Sequence, residues 1–166
     1  LVCLIALKTP KLPFFPVGSE STPDFSFEGV ELSYMEEGVQ VMSMKAEEAR
    51  VWTAQKSQFL NVEGEFWKNG SSLVSFSSPE ATLNLTELDM EARSVLASIQ
   101  TPRSAKLRAG ILKWGAEDRL VKGEKGIQVW GNGLWVKSQN FNLDLDKNRL
   151  VFDGNSSAQI NPRWVK

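Results

Sequence analysis

The sequence predicts an all-β domain, built as an antiparallel sandwich or barrel-like sheet. Three observations predict it. From Phe25 onward apolar and polar residues alternate in short runs, the period of a strand with one buried face. Turn signals interrupt these runs about every 8–12 residues. The 166 residues, 42% hydrophobic and 23% charged, supply one domain with a proper core and argue against global disorder.

Residues 1–7 (LVCLIAL) are wholly apolar and stop at Lys8. A bilayer needs about 20 such residues, so this run does not cross one alone. No Ala-x-Ala cleavage site follows. The preferred expectation is the end of an uncleaved membrane anchor, an N-terminal helix; the other reading is a buried N-terminal strand. Cys3 follows Val2, where lipidation wants a small residue. Residues 8–24 carry Pro10, Pro13, Pro16 and Pro23, so they read as an extended linker. The β domain is then 25–166.

Within it, Phe25, Phe27, Val30, Leu32 and Tyr34 form a first strand, with Gly29 allowing a change of face. Glu37-Gly38 turns the chain into Val39, Val41 and the interleaved Met42, Met44 and Ala46. The stretch 45–54 (KAEEARVWTA) is helix-friendly in composition. Asn69-Gly70, between Phe66-Trp67 and Leu73, Val74 and Phe76, is a hairpin signal. Ser78-Pro79-Glu80 resembles a helix start, and Leu85, Leu88, Ala92, Val95 and Ile99 follow at helical spacing. The rival reading takes Ala81, Leu83 and Leu85, then Met90 and Ala92 with Leu96 following, as strands. Flanking sheet favours the strands. Ile127 and Val129, Gly131-Asn132-Gly133, then Leu134 and Val136 form another hairpin. Phe141, Leu143 and Leu145 alternate with Asn140, Asn142, Asp144 and Asp146, which places both acids on a solvent face. Lys147-Asn148 turns into Leu150 and Phe152, closing at Asp153-Gly154.

The residue inventory removes whole classes of chemistry. There is no histidine and one cysteine, hence no Ser-His-Asp triad, no His-based metal site and no internal disulfide. A net charge of -1, from 19 basic and 20 acidic residues, argues against a dedicated nucleic-acid binder. Gly123, Gly126, Gly131 and Gly133 lack the spacing of a phosphate loop and read as turn glycines. The carboxylate pairs Glu36/Glu37, Glu47/Glu48 and Asp144/Asp146 sit next to each other rather than on opposed elements, as a glycosidase requires. Asp144-x-Asp146-x-Asn148 lacks the Gly and distal Glu of a calcium loop. The acceptor triplets at Asn69, Asn84 and Asn155 read as chance, and six tryptophans read as core or lipid contacts. No cofactor and no catalytic residue are expected.

The strand faces carry the better idea. Met42, Met44, Phe76, Leu83, Leu107, Leu112, Trp114, Val129, Phe141 and Leu143 are assigned inward. If the two layers close tightly they are core. If the layers open along one side they line an apolar trough for acyl chains, and methionine repacks readily around variable ligands.

The order of motifs resembles the LptC family of lipopolysaccharide-export components and the OstA-like β domain those proteins share with their bridge partner. The domain opens "FSFEGVEL", then "GVQVMSMKAEEARV", in which Met42-x-Met44-x-Ala46 and Ala49 match two Ala-containing strands. Thr101, Leu112-x-Trp114, Ile127-x-Val129, Gly131-x-Gly133 and Leu150-x-Phe152-x-Gly154 match the later strands, over about 25–160. The departure is Thr86–Ile99, more helix-like than the family pattern. The resemblance implies a twisted, half-open β-jellyroll, periplasmic and held at the inner membrane. It would take lipopolysaccharide, by its lipid A acyl chains, from an inner-membrane ABC transporter and pass it to a periplasmic LptA-like bridge protein. Leu150, Phe152, Ala158 and Ile160 are assigned to a C-terminal edge that docks that partner by strand pairing. The competing expectation is a closed structural or adhesive β-sandwich with protein partners only.

Overall fold

The computed structural model describes the backbone of residues 2–11, and residues 22–100, 104–147 and 149–160. Most of the expected linker, Thr101 and Asn148 lie outside these. Every element is a strand: β1 (Val2–Lys11), β2 (Phe25–Glu36), β3 (Val39–Thr53), β4 (Lys56–Lys68), β5 (Ser71–Asn84), β6 (Asp89–Ile99), β7 (Ala105–Gly115), β8 (Leu120–Glu124), β9 (Ile127–Gly131), β10 (Leu134–Ser138), β11 (Asn140–Asp144), β12 (Arg149–Asp153) and β13 (Ser157–Ile160). Val2–Lys11 takes the strand form and pairs antiparallel with β2. The helix-friendly stretches 45–54 and 78–99 are strand, apart from the turns at 54–55 and 85–88.

Strands β1 to β7 pair in sequence order, and β7 then divides. Its second half pairs β8, followed by β11 and β12; its first half pairs β9, followed by β10 and β13. The division is simpler than it looks. β8 and β9 are two halves of one long strand, as are β10 with β11 and β12 with β13. Over the described residues the sheet is a meander of ten long strands, each crossed by the same transverse crease.

The crease is visible in the register. Leu7↔Val30 and Thr9↔Glu28 flank an unpaired Lys8/Gly29, and Ala46↔Val62 and Glu48↔Leu60 flank Glu47/Asn61. The interruption continues through Pro79, Ser94 and Gly110. It leaves by Lys125 and Gly126, then Gln139 and Gly154, linked by Gly126 N to Gln139 O (3.3 Å) and Gln139 N to Gly154 O (3.2 Å). At this line the inward phase of β2 to β7 slips by one residue. In β3 the buried set changes from Met42, Met44, Ala46 to Ala49; in β6 from Met90, Ala92 to Val95, Ala97. One extra residue in one strand is a bulge, which bends it. The same extra residue in neighbouring strands keeps their register intact and folds the sheet.

Local chemistry fits this line. Gly29, Asn61 and Ser94, on alternate strands, have φ of 62°, 50° and 54°, the left-handed region that most side chains avoid. Pro79 has no N–H to donate and sits where no ladder bond is made. Gly110 is required by proximity: a Cβ there would lie 2.6 Å from Lys125 O. Two serine hydroxyls serve backbone carbonyls beside the break. Ser78 Oγ bonds Glu80 O and Arg93 O, each at 2.6 Å; Ser138 Oγ bonds Asn140 O and Asp153 O, each at 2.9 Å.

The crease makes a stability prediction. Ser94→Gly is expected to be near neutral, while Ser94→Val, which forces a β-branched residue to positive φ, lowers unfolding free energy by about 1–3 kcal/mol. Urea denaturation measures both; equal effects would count against backbone conformation as the cause.

Candidate functional site, the apolar interior of a creased sheet

The crease turns one sheet into two facing layers. The first holds Met42, Met44, Phe76, Leu107 and Val129; the second holds Leu83, Leu112, Trp114, Phe141 and Leu143. Thus the ten residues assigned inward divide five to each layer, and each is at most 8% exposed. They join one apolar cluster. Cross-strand register aligns Met44, Gly64, Phe76, Ala97, Leu107, Val129 and Val136 as a single inner row of the first layer. The second layer has the row Phe59, Ala81, Ala92, Leu112, Gly123, Phe141 and Phe152. Each row contains a glycine beneath an aromatic ring. The space a Cβ would need at Gly64 is filled by Phe76, and that at Gly123 by Phe141.

The layers touch through aromatic rings. Phe66 stacks on Phe76 with centroids 5.4 Å apart and reaches across to Trp114 at 5.1 Å. Phe66 was not among the residues assigned inward, although its alternation with Val62 and Gly64 marks it. Trp114 Nε1 is buried with no hydrogen-bond partner among the described residues. Buried polar groups are normally paired, so this is a donor left open inside an apolar space.

Opposite the crease, the lips of the two layers meet at one corner. Arg119, between β7 and β8, reaches Glu36 Oε2 at 2.9 Å and Asp146 Oδ1 at 3.2 Å. Lys68 Nζ donates to Leu145 O (2.6 Å) and Asp146 O (2.8 Å). Asp146 therefore does not extend a strand face as expected. β11 ends at Asp144, whose Oδ1 accepts from the backbone N of Asp146 (3.1 Å) and Lys147 (3.0 Å), forming a turn. Leu145 in that turn is fully buried. Tyr34 lies close by, and burial, reinforced by Glu36 and opposed by Arg119, raises its pKa.

Among the described residues the edges of the sheet do not pair with each other: β1 pairs only β2, β12 only β11 and β13 only β10. Leu150, Phe152, Ala158 and Ile160 all lie on the last long strand, β12 with β13. Leu150 and Phe152 pack against the core, while Ala158 and Ile160 are exposed. Among the described residues no three potential ligands from His, Cys, Asp and Glu cluster as a metal site would need.

Fold and interior together define an open antiparallel β-jellyroll with two opposed apolar layers. No protein-family model matches the chain, and no curated protein matches it. Among solved structures it is similar to the crystal structure of LptH, the LptA-homologous periplasmic component of the conserved lipopolysaccharide transport device from Pseudomonas aeruginosa. The TM-score is 0.58 at 10% sequence identity, over 73% of this chain and 95% of that chain. At this identity the likeness shows a shared fold.

Two outcomes test the lip. The Arg119→Ala/Lys68→Ala double variant is expected to lose about 1–2 kcal/mol of stability and to bind more of a fluorescent apolar probe than the parent; unchanged probe binding would mean that these links do not restrain the interior. The raised pKa of Tyr34 gives a sign for pH. An unfolded tyrosine ionises near 10 while the folded one still holds its proton. Stability is unaffected by this group below about pH 10 and declines as pH rises through the higher folded value. Tyr34→Phe flattens that decline in pH-dependent denaturation.

Proposed function

We propose that this chain carries lipopolysaccharide, holding the acyl chains of lipid A between the two layers. In this reading it is an LptC-type component, periplasmic and held at the inner membrane, with Val2–Lys11 lying in the sheet as β1. It receives lipid from an inner-membrane ABC transporter and passes it to an LptA-like bridge protein, with no chemical change to the lipid. The observation that carries the reading is the pair of opposed apolar layers on a sheet whose edges do not close. Similarity in fold to a lipopolysaccharide-transport component agrees with it.

The interior is filled by its own side chains, so a lipid tail enters by displacing them. Met42, Met44 and Met90 line both layers, and their unbranched side chains repack at low cost. The open Trp114 N–H is available to an oxygen of an incoming acyl ester. The last strand, with Leu150, Phe152, Ala158 and Ile160, offers unpaired backbone groups to a partner's edge, continuing the sheet from one protein to the next. A closed structural β-sandwich is the second reading, favoured by the complete burial of the ten inward residues.

A photo-crosslinking amino acid placed singly at Met44, Leu107, Leu112 and Phe141 distinguishes these. Lipopolysaccharide adducts at positions from both layers are expected, with none at outward Glu63 or Lys122. Absence of adducts at all four inward positions would support the closed sandwich.

A further inference from the structure

We propose that the outer face of the final strands docks on an anionic lipid bilayer. The face is opposite the apolar interior, and the inference does not depend on what the interior carries. Trp130 and Trp135 are cross-strand partners on β9 and β10, with outward phase set by buried Val129 and Val136. The row continues into Lys106 on β7; the adjacent outward row holds Arg108 and Lys137. All three cations are exposed, and none makes an ion pair among the described residues.

This differs from the rest of the outer surface. There Lys45 pairs with Glu31 at 3.1 Å, Arg93 with Glu91 at 3.3 Å and Lys113 with Glu124 at 2.8 Å. The remaining outward residues of β9, β10 and β13 are Gln128, Ser157 and Gln159, all neutral. In these outward rows the nearest carboxylates, Glu63 and Glu65, lie on β4, three strands from β7 and so about 14 Å away. Trp135 is 38% exposed, and the lip beside it carries Leu134 (38%) and its cross-strand partner Ile160 (73%).

The combination selects the ligand. Indole rings favour the headgroup level of a membrane, where an apolar body and a polar N–H are both accommodated. Lys and Arg within a Debye length of anionic headgroups add attraction that salt weakens. A soluble anion would use the cations and leave the outward indoles, half-buried Trp130 and exposed Trp135, without a role. A protein partner would also bury such indoles but would need carboxylates placed to match three unpaired cations, whereas an anionic bilayer supplies both the charge and the headgroup level the rings favour. The charge complementarity and the aromatic pair together point to a bilayer.

The test is co-sedimentation of the 166-residue chain with phosphatidylethanolamine vesicles containing phosphatidylglycerol, against phosphatidylcholine vesicles. Binding is expected only to the anionic vesicles, falling as salt rises. The Lys106→Glu/Arg108→Glu/Lys137→Glu variant is expected to lose about tenfold or more in affinity. Brominated acyl chains are expected to quench tryptophan fluorescence, and less so in Trp130→Ser/Trp135→Ser. Circular dichroism confirms that these surface variants keep the fold. Lack of binding, equal binding to neutral vesicles, or an unaffected charge variant would overturn the proposal. So would competition by inorganic phosphate without any quenching, which would identify a soluble-anion site.

Discussion

The crease is the constraint on which the rest of the structure depends. A meander of ten long strands has one apolar face too large to leave in water. Folding the sheet across its strands lets that face bury itself. The fold requires one extra residue per strand at one level, since an isolated bulge would shift the register of everything beyond it. Gly29, Asn61, Pro79, Ser94 and Gly110 meet the requirement in different ways: three by positive φ, one by lacking an N–H, one by lacking a Cβ where the next strand crowds it. Ser78 and Ser138 then satisfy carbonyls that the broken ladder leaves over.

From this follows the division of roles between faces. The inner layers are apolar because they oppose each other, and the lips meet through Arg119, Lys68, Glu36 and Asp146 rather than through a continuous ladder. At the lip the layers are joined by side-chain links, whereas at the crease they are joined by continuous backbone. The edges left open, β1 on one side and β12 with β13 on the other, are where a second sheet has backbone groups to pair with. The outer face is freed from packing, so its composition reflects solvent and partners alone.

Much of this was legible in the sequence, and the gaps have a physical cause. Alternation identified the strands, and all ten residues assigned inward are buried. Gly29 was already marked as a change of face. What local pattern did not disclose was that the same slip recurs in the strands that follow. In β6 it produced the misleading signal: alternation interrupted by one residue sets Ala92 and Val95 three apart, which imitates a helix. The Ser-Pro-Glu that resembles a helix start is the same crease passing through β5. Phe66 escaped assignment although its alternation with Val62 and Gly64 marks it as inward, and Tyr34 was placed only in its strand; their roles beside the facing layer come from the fold. The pairs that cross between layers, Arg119 with Glu36 and Lys68 with Leu145 and Asp146, join residues more than 75 positions apart, and only the folded sheet brings them together.

If the proposed lipid carriage holds, the two layers part at the lip to admit an apolar guest. Pulsed electron–electron resonance measures this directly, with spin labels at Asn69→Cys and Lys147→Cys, on opposite lips, in a Cys3→Ser background. One short, narrow distance distribution is expected for the protein alone and a longer, broader one with lipopolysaccharide. An unchanged distribution under conditions where lipopolysaccharide is shown to be bound would contradict it.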